Sequence, residues 1–112
     1  MRKHNLLKTA DAYVQQIAND YLPRAQFAFE QTLSDSVKLK TLYTDDVDLC
    51  FVFDVDGVTV DVYCNYGSNS VSGYVYAKEA AIANRVLRDH FALKVTAMEY
   101  QGSDSVYYRA AA

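Results

Sequence analysis

The chain has 112 residues, with 14 acidic and 11 basic side chains and a formal net charge of −3. This length excludes a second domain and predicts one domain over residues 1–112, which can bury roughly two thirds of its unfolded surface. The net charge is too mild to predict a partner by itself. Residues 41–77, however, contain six Asp and no Lys or Arg, so the centre of the chain is an acidic segment.

Two helical segments are predicted before residue 34. Apolar residues recur at three- and four-residue spacing from Leu6 to Tyr21, which is typical of one buried helix face. Pro23 has no amide hydrogen to donate, so the first helix should end near Asp20, where a second segment begins and runs to Leu33. Both helices should pack on one face of a sheet.

A β-meander of about four strands is predicted over residues 37–77. Apolar residues alternate with polar ones up to Val55, and Asp56-Gly57 then tolerates the positive φ of a two-residue hairpin turn. Counting outward from this turn pairs Val55 with Val58 and fixes the register of both strands.

The register of the next hairpin decides which polar residues share a face. A loop at residues 67–70 places Tyr63 opposite Tyr74, and Asp61 opposite Tyr76. These side chains all point away from the apolar face, so we expect them to be exposed.

The strand that begins at Val37 alternates in the same way. Simple alternation places Val37, Leu39 and Tyr43 on the apolar face, and it places Lys38 across from Asp54.

The C-terminal third predicts a helix over residues 78–91 and a closing hairpin from residues 93–100 and 106–109. The expected fold class is therefore α+β, with an antiparallel sheet packed on one face by the N-terminal helices and the helix at 78–91.

The sequence predicts a cytoplasmic protein with no membrane association. No apolar run approaches the ~18 residues needed to span a bilayer, and no apolar region with a cleavage site opens the chain. Cys50 and Cys64 fall on opposite faces of the predicted sheet, so we do not expect a disulfide between them.

The outer sheet face gives the leading functional hypothesis. It predicts a partner-binding surface formed by Asp48, Asp54, Asp56, Asp61, Tyr63, Tyr74 and Tyr76. Amphipathic aromatics are enriched in protein interfaces, and neighbouring carboxylates favour a basic partner. We therefore expect a non-catalytic protein that binds a basic protein surface, as an inhibitor or regulator. A nucleic-acid mimic from a phage or another mobile element is the finer form of this hypothesis.

The segment from Cys50 to Val58 supports an alternative. Its apolar strand followed by Asp-x-Asp-Gly resembles the first motif of haloacid-dehalogenase-type phosphatases. The resemblance implies a Mg²⁺-dependent phosphohydrolase with Asp54 as nucleophile and Asp56 as general acid/base. An alternating strand follows the motif directly, whereas the family continues with a crossing to a helix.

The remaining alternatives concern metal, nucleic acid and self-association. Asp-x-Asp-Gly lacks the spacing of a calcium loop, so no metal or other cofactor is expected. Direct nucleic-acid binding would need a positive groove beside the tyrosines, and the acidic segment contains no Lys or Arg. A homodimer formed through the tyrosines is a further alternative to a monomer.

Overall fold

The protein folds as an antiparallel sheet with a helix packed against it. The structure is a computed structural model that describes residues 12, 16, 30–44, 47–65, 70–102 and 104–111. The elements are β1 (Val37–Thr44), β2 (Asp48–Val55), β3 (Val58–Asn65), β4 (Ser70–Val75), α1 (Ala80–His90), β5 (Lys94–Tyr100) and β6 (Val106–Ala111). The strand order is β1-β2-β3-β4-β6-β5. This agrees with the predicted α+β class, whereas the two helices predicted over residues 6–33 lie almost entirely outside the described residues.

The β2–β3 hairpin has the predicted register along its whole length. Val55 pairs with Val58, and Phe53 pairs with Val60. Asp56 and Gly57 have φ angles of 51° and 88°, the positive values that a two-residue hairpin turn of this type requires. This turn therefore determines which side chains of both strands face the core.

The predicted alternation along β1 is wrong after Leu39. A bulge between Leu39 and Thr41 shifts the register by one residue, while the predicted pairing of Lys38 with Asp54 is present. One extra residue moves all later side chains to the opposite face. Leu42 is therefore fully buried, and 43% of Tyr43 is exposed on the other face.

The predicted register of the β3–β4 pair is also wrong, by two residues. Tyr63 pairs with Ser72 rather than with Tyr74, and Cys64 pairs with Val71. Because side chains alternate with a period of two, this shift keeps every residue on its predicted face. Alternation alone cannot distinguish registers that differ by two residues.

The apolar core lies between the sheet and α1. The rings of Phe51 and Phe53 stack at 5.8 Å on one face of β2, and Phe91, which follows α1, packs on Phe53 at 5.7 Å. The helix buries Ala83, Val86 and Leu87. The face of the sheet that carries these phenylalanines is thus the core face.

The C-terminal end of α1 is joined to the segment that precedes β1. The His90 carbonyl accepts the Leu33 amide at 2.8 Å, and His90 Nδ1 lies 2.6 Å from Ser34 Oγ. A bridge between Thr32 and Phe91 continues this contact. His90 therefore has structural contacts at this junction.

The predicted C-terminal hairpin is present as β5 and β6, and β6 extends the sheet by pairing with β4. Within the described ranges, no helix is long and apolar enough to cross a membrane.

Candidate functional site

The face opposite the core carries a cluster of aromatic hydroxyls that we call the tyrosine face. It is formed by Tyr43 of β1, Tyr63 of β3, Tyr74 of β4, Tyr76 just after β4, and Tyr107 of β6. Tyr43 and Tyr76 are 43% and 48% exposed, whereas the other three are half-buried. Four strands therefore contribute phenols to one surface.

Tyr74 is the centre of the aromatic packing. Its ring lies 5.4 Å from that of Tyr107 and 6.3 Å from those of both Tyr63 and Tyr76. The contacts with Tyr63 and Tyr107 are edge-on, at interplanar angles of 70° and 61°. Edge-on pairs are favoured by the ring quadrupole, at about 0.5–1.5 kcal/mol each. The rings are thus held in a defined arrangement before any partner binds.

Asp61 lies beneath these phenols and is only 6% exposed. Its Oδ2 accepts a hydrogen bond from the Tyr76 hydroxyl at 2.9 Å and a longer one from the Tyr63 hydroxyl at 3.3 Å. In the part of the chain that the structure describes, the observed ion pair joins Arg88 to Asp89, and Asp61 has no basic partner. The expectation that Asp61 faces water is therefore wrong, because its neighbours cover it.

The phenols around Asp61 resist ionisation. Burial, followed by the hydrogen bond to Asp61, raises the pKa of Tyr76 to about 12. Burial and then the charge of Asp61 raise the pKa of Tyr63 still further. Burial and then the proximity of Cys50 raise the pKa of Tyr43. All three side chains therefore stay neutral hydrogen-bond donors at physiological pH.

The backbone at Asp61 is positioned by Gly73 and Tyr108. The Tyr108 hydroxyl, on a fully buried side chain, donates to the Asp61 carbonyl at 2.7 Å. A Cβ at Gly73 would overlap that carbonyl oxygen and lie 2.8 Å from its carbon. Pairing between β3 and β4 is interrupted here, between Val60 and Tyr63. A glycine and a buried phenol thus hold the strand that presents Asp61.

The other predicted carboxylates lie at the two ends of the hairpin. Asp54 is half-buried, and its Oδ1 accepts the Gly57 amide at 2.8 Å, while Asp56 is exposed in the turn itself. Asp48 is half-buried at the start of β2, six residues before Asp54 and therefore about 20 Å away along the strand. The structure brings Asp61 and the tyrosines together but does not gather the four carboxylates.

The Asp54-x-Asp56-Gly57 motif forms a hairpin turn. The next strand, β3, begins at Val58, directly after the motif, and pairs back along β2. The crossing to a helix that the phosphatase resemblance implies is not found at this position. Within the described ranges, no group of three or more His, Cys, Asp or Glu side chains could hold a metal ion.

A polar groove flanks the tyrosine face on the side of β6. It has a volume of about 400 Å³ and is lined by Asp48, Tyr63, Asn65, Ser70, Val71, Ser72, Thr96, Tyr107, Arg109 and Ala110. The Arg109 Nε donates to the Tyr107 hydroxyl at 3.4 Å, and its guanidinium carbon lies 6.0 Å from the ring centroid. This contact lowers the pKa of Tyr107. The margin of the face beyond the acidic segment is therefore basic.

Sequence reasoning missed three residues of this surface. Simple alternation along β1 places Tyr43 on the core face, and the predicted closing hairpin gives no face for Tyr107 and Arg109. Residues 106–111 do alternate between buried and more exposed positions. A period of two counted from Val106 places Tyr107 and Arg109 opposite the core, whereas Tyr43 lies on that face because of the bulge in β1.

Comparison with protein-family models, curated proteins and solved structures found no match for this chain. The fold and the face together define a small α+β protein with a tyrosine-bearing sheet surface. Its function is therefore argued from the geometry of that surface.

Proposed function

We propose that this chain is a non-catalytic protein-binding protein that docks through the tyrosine face onto a basic surface of another protein. The observation that carries this proposal is the gathering of five tyrosines on the sheet face opposite the core, with Tyr43 and Tyr76 about half exposed. Tyrosine offers large amphipathic contact area, and it is enriched in protein interfaces and their hot spots.

The packing of the rings supports binding because it reduces the cost of association. Immobilising a flexible side chain at an interface costs about 0.5–1.5 kcal/mol. The edge-on contacts of Tyr74 with Tyr63 and with Tyr107 already hold these three rings in place. A partner therefore meets a surface whose aromatic side chains need little further ordering.

The charge around the face favours a basic partner. Asp56 is exposed at the hairpin tip, Asp54 and Asp48 are half-buried along β2, and residues 41–77 contain no Lys or Arg. Such a surface attracts cationic groups and accelerates their encounter at low ionic strength. Arg109 at one margin and Lys38 at the other would limit the area that the cations of the partner can occupy.

Inhibition of a nucleic-acid-binding protein is the finer form of this proposal. In it, the carboxylates around the tyrosine face occupy positions that phosphates take on the basic partner. Asp61 cannot serve in this way because it is buried, so the mimicry would rest on Asp48, Asp54 and Asp56.

Site-specific photo-cross-linking tests the proposal. A photoreactive phenylalanine analogue at Thr41, an exposed position on the tyrosine face, leaves every tyrosine in place, and the same residue at Arg85 on the outside of α1 is the matched control. In extracts of the source organism, we expect the Thr41 position to capture a protein with a basic surface, with less capture at raised salt. Equal capture at both positions, or a captured partner without a basic surface, would contradict the proposal.

Two further measurements address the alternatives. Light scattering distinguishes a monomer from a homodimer. A thermal-shift titration with Mg²⁺, combined with a phosphatase assay, tests the hydrolase alternative. Stabilisation together with turnover that depends on Asp54 would replace the binding proposal.

A further inference from the structure

Asp61 is a buried carboxylate whose charge is not neutralised by a described basic group. It is 6% exposed, and its hydrogen bonds from side chains come from the hydroxyls of Tyr63 and Tyr76, both to Oδ2. Burying an anion is costly unless it is paired or well hydrogen-bonded. A cation that approaches this point from outside would therefore meet an unbalanced negative charge.

The carboxylate also determines what the phenols present to a partner. A carboxylate only accepts hydrogen bonds, so the hydroxyl hydrogens of Tyr63 and Tyr76 point inward to Asp61. The oxygen of Tyr76 is left as an acceptor for an outside group, whereas the hydroxyl of Tyr63 also shares a hydrogen bond with that of Tyr43. Donation to an anion also polarises each hydroxyl and strengthens it as an acceptor. The surface above Asp61 thus offers acceptors and aromatic rings, and it favours a donor-rich cation over an anion.

The group that matches this surface is a guanidinium. It has five donors and no acceptor, it is more weakly hydrated than an ammonium, and it stacks on aromatic rings. The chain contains this combination elsewhere, where Arg109 donates to the Tyr107 hydroxyl and lies near its ring. Above Asp61 the phenols are present, and the guanidinium would come from the partner.

We propose that Asp61, Tyr63 and Tyr76, with Tyr43 beside them, form the docking point for one arginine side chain of the partner protein. We call these four residues the phenol cluster. This inference rests on the proposed function and specifies the partner residue that makes the central contact. The half-exposed Tyr43 and Tyr76 supply ring surface for stacking, and Asp61 supplies charge without direct contact with solvent.

Calorimetric titration with capped hexa-arginine and hexa-lysine peptides tests this assignment on the full chain. We expect the wild-type protein to bind the arginine peptide at least about threefold more tightly than the lysine peptide. Asp61→Asn keeps the shape of the side chain and should weaken arginine-peptide binding about tenfold. Asp104→Asn removes the same charge from an exposed loop residue and should change binding less than about twofold.

Tyr76→Phe provides a second test, because it keeps the ring and removes the hydroxyl. It should weaken arginine-peptide binding about threefold to fivefold, and it decides the question if Asp61→Asn does not fold. Unchanged binding in either folded variant, equal affinity for the two peptides, or tighter binding of a single-stranded oligonucleotide would overturn the assignment. If the peptide titrations fail but the Thr41 position still captures a basic partner, only the arginine contact is refuted. If the Thr41 position captures no basic partner, the proposed function itself is refuted.

Discussion

Gly73→Ala tests whether the close approach of β4 to Asp61 is required for stability. The added Cβ would overlap the Asp61 carbonyl oxygen and lie 3.0 Å from the Tyr108 hydroxyl. Backbone atoms in the middle of a sheet cannot move aside easily, so overpacking should cost about 2 kcal/mol. Displacing the carbonyl from the Tyr108 hydroxyl should add about 1–2 kcal/mol for a buried hydrogen bond.

The expected loss is therefore about 3–4 kcal/mol, a large part of the stability of a domain of this size. Gly102→Ala is the matched control, because a Cβ there meets no atom within 4 Å although its φ is +77°. That variant should lose only about 1 kcal/mol, from backbone conformation. Urea unfolding followed by circular dichroism gives both values, provided that the m value is unchanged.

A third variant locates the effect at the carbonyl. Tyr108→Phe removes the donor of the 2.7 Å hydrogen bond and should cost about 1–2 kcal/mol. Combined with Gly73→Ala, it should cost about 1 kcal/mol less than the two single losses together, since both disturb the same group. A Gly73→Ala loss no larger than that of Gly102→Ala, or full additivity with Tyr108→Phe, would refute the reasoning.

Two more predictions concern the ionisation of tyrosines on the tyrosine face and the protection of the buried Cys50 by Tyr43. Absorbance titration, assigned by Tyr→Phe difference spectra, should give an ionisation for Tyr76 near 12 and an earlier one for Tyr107. The pKa of Tyr76 is higher in the folded protein than in the unfolded chain, where it is about 10. The contribution of Tyr76 to stability is therefore complete below pH 10 and is lost between about pH 10 and 12. If Tyr76→Phe shows the same fall in stability over this range, the fall does not come from Tyr76. Tyr43→Ala should speed the reaction of a thiol reagent with Cys50, which is buried on the tyrosine face, whereas the reaction of Cys64 on the core face should stay slow. Peptide mapping measures the two rates separately. Equal acceleration of both thiols would contradict the prediction and would indicate general loosening of the sheet.

The β2–β3 hairpin could be predicted in full because its turn is specified by residue type. Asp56-Gly57 accepts the positive φ values found there, and every pair of the hairpin follows by counting from Val55 and Val58. The next hairpin has no such anchor. Registers two residues apart give the same faces, so only tertiary packing distinguishes the pairing of Tyr63 with Ser72 from the predicted one.

The position of Tyr43 depended on a bulge that alternation does not reveal directly. Leu39 and Leu42 both lie on the core face although they are three positions apart, which a regular strand does not allow. A strand in which two strong core residues are three apart therefore indicates a bulge between them. A bulge inferred in this way from the sequence alone places Tyr43 on the tyrosine face.

Asp61 shows why a count of carboxylates in the sequence does not give the charge of a surface. The alternation of β3 correctly excluded Asp61 from the core face, but exposure also depends on the side chains that lean over it from Tyr63 and Tyr76. The hydroxyls that cover the carboxylate also orient their hydrogens toward it. A partner therefore contacts the oxygens of neutral phenols, which act as hydrogen-bond acceptors, and does not contact the carboxylate itself. This surface is less hydrated than an exposed aspartate would be. Such a surface should discriminate between cations by geometry, which explains why arginine rather than net positive charge is expected to determine recognition.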